Sequence, residues 1–229
     1  MGTAETLMEM YRAMRRRFGH QAWWPGQSPL EICIGAILTQ NTNWKNVERT
    51  IDNLKAGGCL SIAALRRLDH RRLAELIRPA GYFNIKAKRL KNFIDHVWES
   101  WGEDLGGPGG TGGGFLDRGV SQLREDLLSV NGIGRETADS IVLYAAEKPS
   151  FVVDAYTYRV LLRHHLIAPE DDYEAIKQLM ESSLPEDVEL WNDYHAQLVA
   201  VGKNYCRPRA RCAGCPLETF PHDAQADRL

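Results

Sequence analysis

Only one short run of this chain, Ser150-Phe151-Val152-Val153, reads as extended, and four residues with no partner strand cannot start a sheet. Elsewhere the apolar residues recur at helical spacing, as Leu7, Met10, Tyr11, Met14 and Phe18 do. The pattern predicts helices over about 5–18, 29–40, 43–55, 61–67, 70–77, 84–101, 121–130, 135–147, 155–165, 172–182 and 187–203. Ser28 and Pro29 suit an N-cap and first helical position. The fold class expected is all-α. With 229 residues and 44% hydrophobic content, the chain has material for one large or two small packed domains. Such a composition excludes a disordered, collagen-like or disulfide-scaffold protein.

One segment cannot be regular. Gly106 to Gly114 holds seven glycines in nine residues and is expected to be a flexible loop. It lacks the Lys-Ser or Lys-Thr that a phosphate-binding loop carries after its glycines.

The formal charge of −2 argues mildly against a nucleic-acid binder, but its distribution does not. Basic residues gather at Arg12–Arg17, Arg66–Arg72, Lys86–Lys91 and Arg207–Arg211. Solvated helix faces explain any single cluster equally well. No apolar run approaches the ~18–20 residues of a membrane span, and no basic-then-apolar opening marks export. The expectation is a cytoplasmic protein without a membrane partner.

Three of the five cysteines, Cys206, Cys212 and Cys215, sit together, which in a chain without an export signal reads as metal ligation. Cys33 reads as a buried small hydrophobe and Cys59 as a turn residue.

The most informative stretch runs from Leu127 to Ala138 and contains Val130-Asn131-Gly132-Ile133-Gly134-Arg135-Glu136-Thr137. Two amphipathic helices flank a hairpin whose glycines permit positive φ and close backbone approach. Such a turn aims backbone N–H groups at an anion, and a DNA phosphate is the natural ligand. Gly132, Ile133, Gly134, Arg135 and Thr137 are the contact candidates. Beyond the hairpin, Asp154 ends the extended run and opens a helix. Capping is one role for it. A carboxylate kept ionised by N–H donors is also suited to stabilising a cationic transition state.

A helix-hairpin-helix, then Val-Asp, then a terminal cysteine cluster resembles the endonuclease III superfamily of DNA glycosylases over nearly the whole chain. Leu38-Thr39-Gln40-Asn41-Thr42 and Gly81-Tyr82-Phe83-Asn84-Ile85-Lys86-Ala87 resemble two further family segments. The resemblance implies an inserted helical barrel over 27–147, with the hairpin motif at 121–147. A second domain would combine 1–26 and 148–229, the damaged base flipping into the cleft between the two. It also implies a monomer acting on double-stranded DNA, with Gln40 filling the gap left by the flipped nucleotide.

Two departures refine the expectation. Bifunctional members carry a lysine where this chain has Glu136, and a carboxylate cannot form a Schiff base. Asp154 is followed by Ala155-Tyr156 rather than Thr-His. With Trp23-Trp24-Pro25 and Trp44, these departures resemble the 3-methyladenine DNA glycosylase branch. That implies a monofunctional enzyme of base excision repair, with Asp154 catalytic. Trp23, Trp24, Pro25, Trp44 and Lys203 become base-pocket candidates, since an electron-poor alkylated purine stacks well on indole. The alternatives are an endonuclease III-like glycosylase for oxidised pyrimidines and a catalytically silent DNA-binding protein. The family's 4Fe–4S pattern is Cys-x6-Cys-x2-Cys-x5-Cys. Here Cys206, Cys212 and Cys215 follow a shortened version, and His222 is the candidate fourth ligand. A degenerate site or zinc stays open.

Overall fold

Among the described residues, seven helices begin on a Ser, Asn or Asp whose side chain accepts a hydrogen bond from an N–H of the first turn. Each such cap stabilises its helix by about 1 kcal/mol. The structure, a computed structural model, describes residues 2–110 and 112–226. Met1, Thr111 in the glycine-rich segment, and residues 227–229 at the end of the expected second domain lie outside the described residues. The capped helices are α2 (Pro29–Leu38, Ser28), α3 (Trp44–Ala56, Asn43), α4 (Ile62–Arg67, Ser61) and α5 (His70–Leu76, Asp69). So are α9 (Ala155–Arg163, Asp154), α10 (Tyr173–Ser183, Asp172) and α11 (Val188–Asn204, Asp187). The others are α1 (Thr3–Phe18), α6 (Phe83–Trp101), α7 (Val120–Ser129) and α8 (Arg135–Ser140). The fold is all-α, with no strand among the described residues.

The chain divides into two units, one of Met1–Trp23 with Pro149–Leu229 and one of Trp24–Lys148. In the second, α2 is buried on nearly every side, and Ile34, Ile37 and Leu38 join Leu54, Leu90, Phe93 and Leu127 in one core. In the first, α1 is stitched to α11. Tyr11 stacks on Tyr194 at 5.3 Å and its hydroxyl donates to buried Asp193 at 2.9 Å.

The extended run Ser150–Val153 is fully buried, with the Phe151 N–H bonded to the Glu181 carboxylate at 2.8 Å. The helix expected over 135–147 is α-helical only to Ser140. It then widens into a π-type turn, Ile141–Ala145, all of it buried. The glycine-rich segment is irregular, as expected, but its base is cinched: Asp117 accepts from the N–H groups of Gly107 and Gly114 at 3.0 and 2.9 Å.

Candidate active site

Asp154 caps α9, one carboxylate oxygen accepting the Thr157 N–H at 2.7 Å. Its other oxygen lies 3.6 Å from His195 Nε2 on α11, with side-chain exposures of 13% and 5%. Burial pushes the Asp154 carboxyl up, but the facing His195 imidazole and the Thr157 cap outweigh it, holding it below the usual carboxylate range. The capping role and a permanent negative charge are therefore one and the same arrangement.

The aromatic candidates fall into separate groups. Trp24 and Trp44 meet edge to face at 5.0 Å, and Trp24 lies against Tyr144 at 5.1 Å with planes 27° apart. Gly35 makes this possible, since a Cβ there would stand 3.1 Å from Trp24 Nε1 and 3.4 Å from the Trp44 ring. The Trp44 indole N–H is buried and has no hydrogen-bond partner among the described residues. Pro25 and Trp44 line an open trough of about 490 Å³ with Gln27, Glu31, Lys45 and Lys55. Trp23 belongs to the other unit, where the Lys203 ammonium sits over its ring at 5.7 Å.

The hairpin between α7 and α8 is braced from behind. Gln40 donates to the Gly132 carbonyl at 3.3 Å and to the Thr137 hydroxyl at 3.0 Å, and accepts from Arg89. Asn92 holds the Asn131 carbonyl at 2.8 Å. Gly132 has φ +101° and a Cβ there would strike the Arg89 side chain, so this glycine is required. Gly134 is extended at φ −96°, with open space beside it. The positive φ that the glycines permit is thus used at Gly132 and not at Gly134. Gly134, Arg135 and Glu136 are exposed, whereas Ile133 and Thr137 are buried.

Cys206, Cys212, Cys215 and His222 line one cavity, together with His164 and buried Arg163. Arg163 donates to Cys206 Sγ at 3.4 Å, and burial pushes the Cys215 thiol up to about 11. The donor identities fit an iron–sulfur group. No three His, Cys, Asp or Glu side chains among the described residues converge on a single metal ion.

Sequence reasoning missed Tyr144, Arg89 and His195, whose roles depend on tertiary neighbours. Asn41 and Tyr82, named in the sequence only within the two family segments, share a signal visible in the backbone: exposed residues held at φ +54° and +46°.

The chain matches the model of the HhH-GPD superfamily base excision DNA repair proteins over residues 34–186. It is 44% identical to a candidate DNA repair glycosylase of Methanocaldococcus jannaschii over 218 residues, covering 94% of this chain and 96% of that one. Among solved structures it is similar to the Helicobacter pylori 3-methyladenine DNA glycosylase bound to 1,N6-ethenoadenine. The TM-score is 0.73 at 26% identity, over 89% of this chain and 98% of the other. An endonuclease III–DNA complex shares the fold, with TM-score 0.80 at 18% identity over 98% of both chains. The chain belongs to the HhH-GPD superfamily of base excision DNA repair proteins. It is a DNA N-glycosylase, and DNA is its partner. No helix of the described residues is long and apolar enough to cross a membrane.

Proposed function

We propose that this glycosylase is monofunctional and excises N-alkylated purines such as 3-methyladenine from double-stranded DNA, acting as a cytoplasmic monomer. The observation that carries the reading is the Trp24–Tyr144 stack with Trp44 at its edge and an unpartnered buried indole N–H beside it. An alkylated purine is cationic and electron-poor, and an aromatic wall is worth about 1–3 kcal/mol per stacked base. The likeness to a 3-methyladenine glycosylase at 26% identity supports the same substrate class. Trp24, Pro25 and Trp44 are the wall in this reading. Trp23 and Lys203 are assigned to base binding on the notion that their own cation–π pair opens to a purine.

The alkylated base is already a good leaving group, so the protein's main task is to stabilise the positive charge left on the sugar. Asp154, ionised and fixed by Thr157, supplies the opposing charge. The base departs neutral with the glycosidic electron pair, and water adds to the sugar carbon and gives up one proton to solvent, leaving the abasic hemiacetal. Glu136 stands in the first turn of α8, where it offers no amine for a Schiff base.

The exposed hairpin backbone at Gly134 and Arg135 takes a phosphate, while Gln40 works from behind as a brace for Gly132 and Thr137. To fill the gap left by a flipped nucleotide, Gln40 would have to give up three hydrogen bonds, each worth about 0.5–1.5 kcal/mol. Asn41 and Tyr82, the latter 70% exposed, are better placed to act as plugs. Cys206, Cys212, Cys215 and His222 would hold a 4Fe–4S cluster. Bonded to these side chains, the cluster would tie the loop after α11 into a fixed shape.

The test is release of free 3-methyladenine from methylated duplex DNA by the purified protein. Release of oxidised pyrimidines with no release of methylated purines would overturn the substrate assignment.

A further inference from the structure

We infer that His195 is a positioning residue for Asp154, holding the carboxylate oxygen that the helix cap leaves over. The inference rests on the catalytic reading of Asp154 given above.

A carboxylate that must face a transient cation needs both oxygens fixed, or rotation about its Cβ–Cγ bond smears the charge. The cap holds one of them through the Thr157 N–H at 2.7 Å. The other faces His195 Nε2 at 3.6 Å, only a few tenths of an ångström beyond hydrogen-bond range. Catalytic hydrogen bonds are often that long in a free enzyme and tighten with substrate.

The approach is built into the helix pair. His195 and Gly202 stand two turns apart on one face of α11. A Cβ on Gly202 would lie 2.2 Å from the Tyr156 ring of α9, so the glycine lets α9 settle directly onto the α11 backbone. Asp154 caps the near end of α9 and is thereby brought to the buried imidazole. Competing groups are otherwise engaged. Asp193, on the same helix, accepts from the Tyr11 hydroxyl and the Gln21 N–H, both at 2.9 Å. Arg159 and Arg163 of α9 donate to the carbonyls of Cys206 and Arg207.

The experiment measures single-turnover base release and duplex affinity for His195→Leu, His195→Gln, Asp154→Asn and the His195→Leu/Asp154→Asn double variant. The expected result is a loss of tenfold or more in release rate for His195→Leu at unchanged duplex affinity. His195→Gln, which keeps a donor at similar reach, should recover most of the rate. In the Asp154→Asn background, His195→Leu should cost little more, because the two act as one unit. In wild-type protein the His195 Nε2 proton should resonate downfield in NMR spectra and move upfield in Asp154→Asn.

A His195→Leu variant as fast as wild type would overturn the inference, as would a full multiplicative loss in the double variant. So would a Gln variant no better than Leu. If wild type releases some other damaged base, the substrate reading fails, and the same cycle run on that base still decides the role of His195. Wild-type activity in Asp154→Asn would remove both.

Discussion

The Trp24 indole lies against the Tyr144 ring, centroids 5.1 Å apart and planes 27° from parallel, with Trp44 meeting its edge at 5.0 Å. Tyr144 reaches this position from the π-type turn Ile141–Ala145. One face of Trp24 is thus supported by protein. If the other receives the base, Trp24→Ala should cut excision efficiency by about tenfold to a hundredfold, from a stack of about 1–3 kcal/mol. Binding of undamaged duplex should change little. Tyr144→Leu, which removes only the support, should raise KM more than it lowers kcat. Proportional losses of melting temperature and activity in both variants would place these rings in the core alone.

Gly134 provides a cleaner test of the hairpin. Its φ of −96° is open to any residue and a Cβ there meets nothing within 4 Å. Aspartate is also a favoured N-cap. Gly134→Asp should therefore leave the melting temperature equal or higher while weakening duplex binding, whatever the sequence, by tenfold or more. The salt dependence of binding should become shallower by about one unit of slope if one phosphate contact is lost. Unchanged affinity in the folded variant would remove the hairpin from the DNA interface.

What the sequence disclosed and what it hid follow one physical division. Helix starts are local, and Ser28 announces its own because the cap bond reaches only three residues ahead. Asn43, Ser61, Asp69, Asp172 and Asp187 cap theirs over the same short reach, though the sequence reading did not single them out. The all-α class follows from the same short-range periodicity. The π-type turn at Ile141–Ala145 left no mark, since that apolar run contains no Gly or Pro and its pattern suits an ordinary helix. Gly132 and Gly134 are identical in sequence, yet only the Arg89 side chain packed on Gly132 makes that one irreplaceable. Nothing near Gln40 in sequence reveals Gly132, Thr137 and Arg89 as its partners. His195 was invisible beside Asp154 for the same reason.

The cysteine loop makes its own prediction. Protein purified without oxygen should contain iron and sulfide and be brown, and Cys206→Ser should lose both along with solubility. His222→Ala should lower iron content less than any of the three cysteine substitutions. Wild-type protein free of iron by elemental analysis would sink the cluster.

Asp154 also carries a pH signature in folding. Its carboxyl is held below the ordinary range in the folded protein, where His195 and Thr157 outweigh the opposing effect of burial. The unfolded chain then binds the proton first on acidification, so the contribution is full at neutral pH and is lost as pH falls toward the lowered folded pKa. Melting temperature followed from neutral to acid pH should drop less steeply in Asp154→Asn than in wild type. Parallel curves would show that the carboxylate is not specially stabilised.

Bond breaking gives the sharpest expectation. Asp154→Asn keeps the shape and the cap on α9 but removes the charge opposite the sugar cation. Base release should fall by about a hundredfold or more, the scale seen when one preorganised electrostatic partner is removed. Glu136, exposed in the first turn of α8, offers a carboxylate where an amine would be needed to attack the sugar. Base removal should therefore leave intact abasic sites that break only in hot alkali, and borohydride should trap no covalent protein–DNA adduct. Lys203 is the one residue assigned to base binding that carries an amine, and its ammonium rests over Trp23 at 5.7 Å. An adduct that forms in wild type and disappears in Lys203→Ala would show that this amine reaches the sugar, and would move the enzyme into the glycosylase–lyase class.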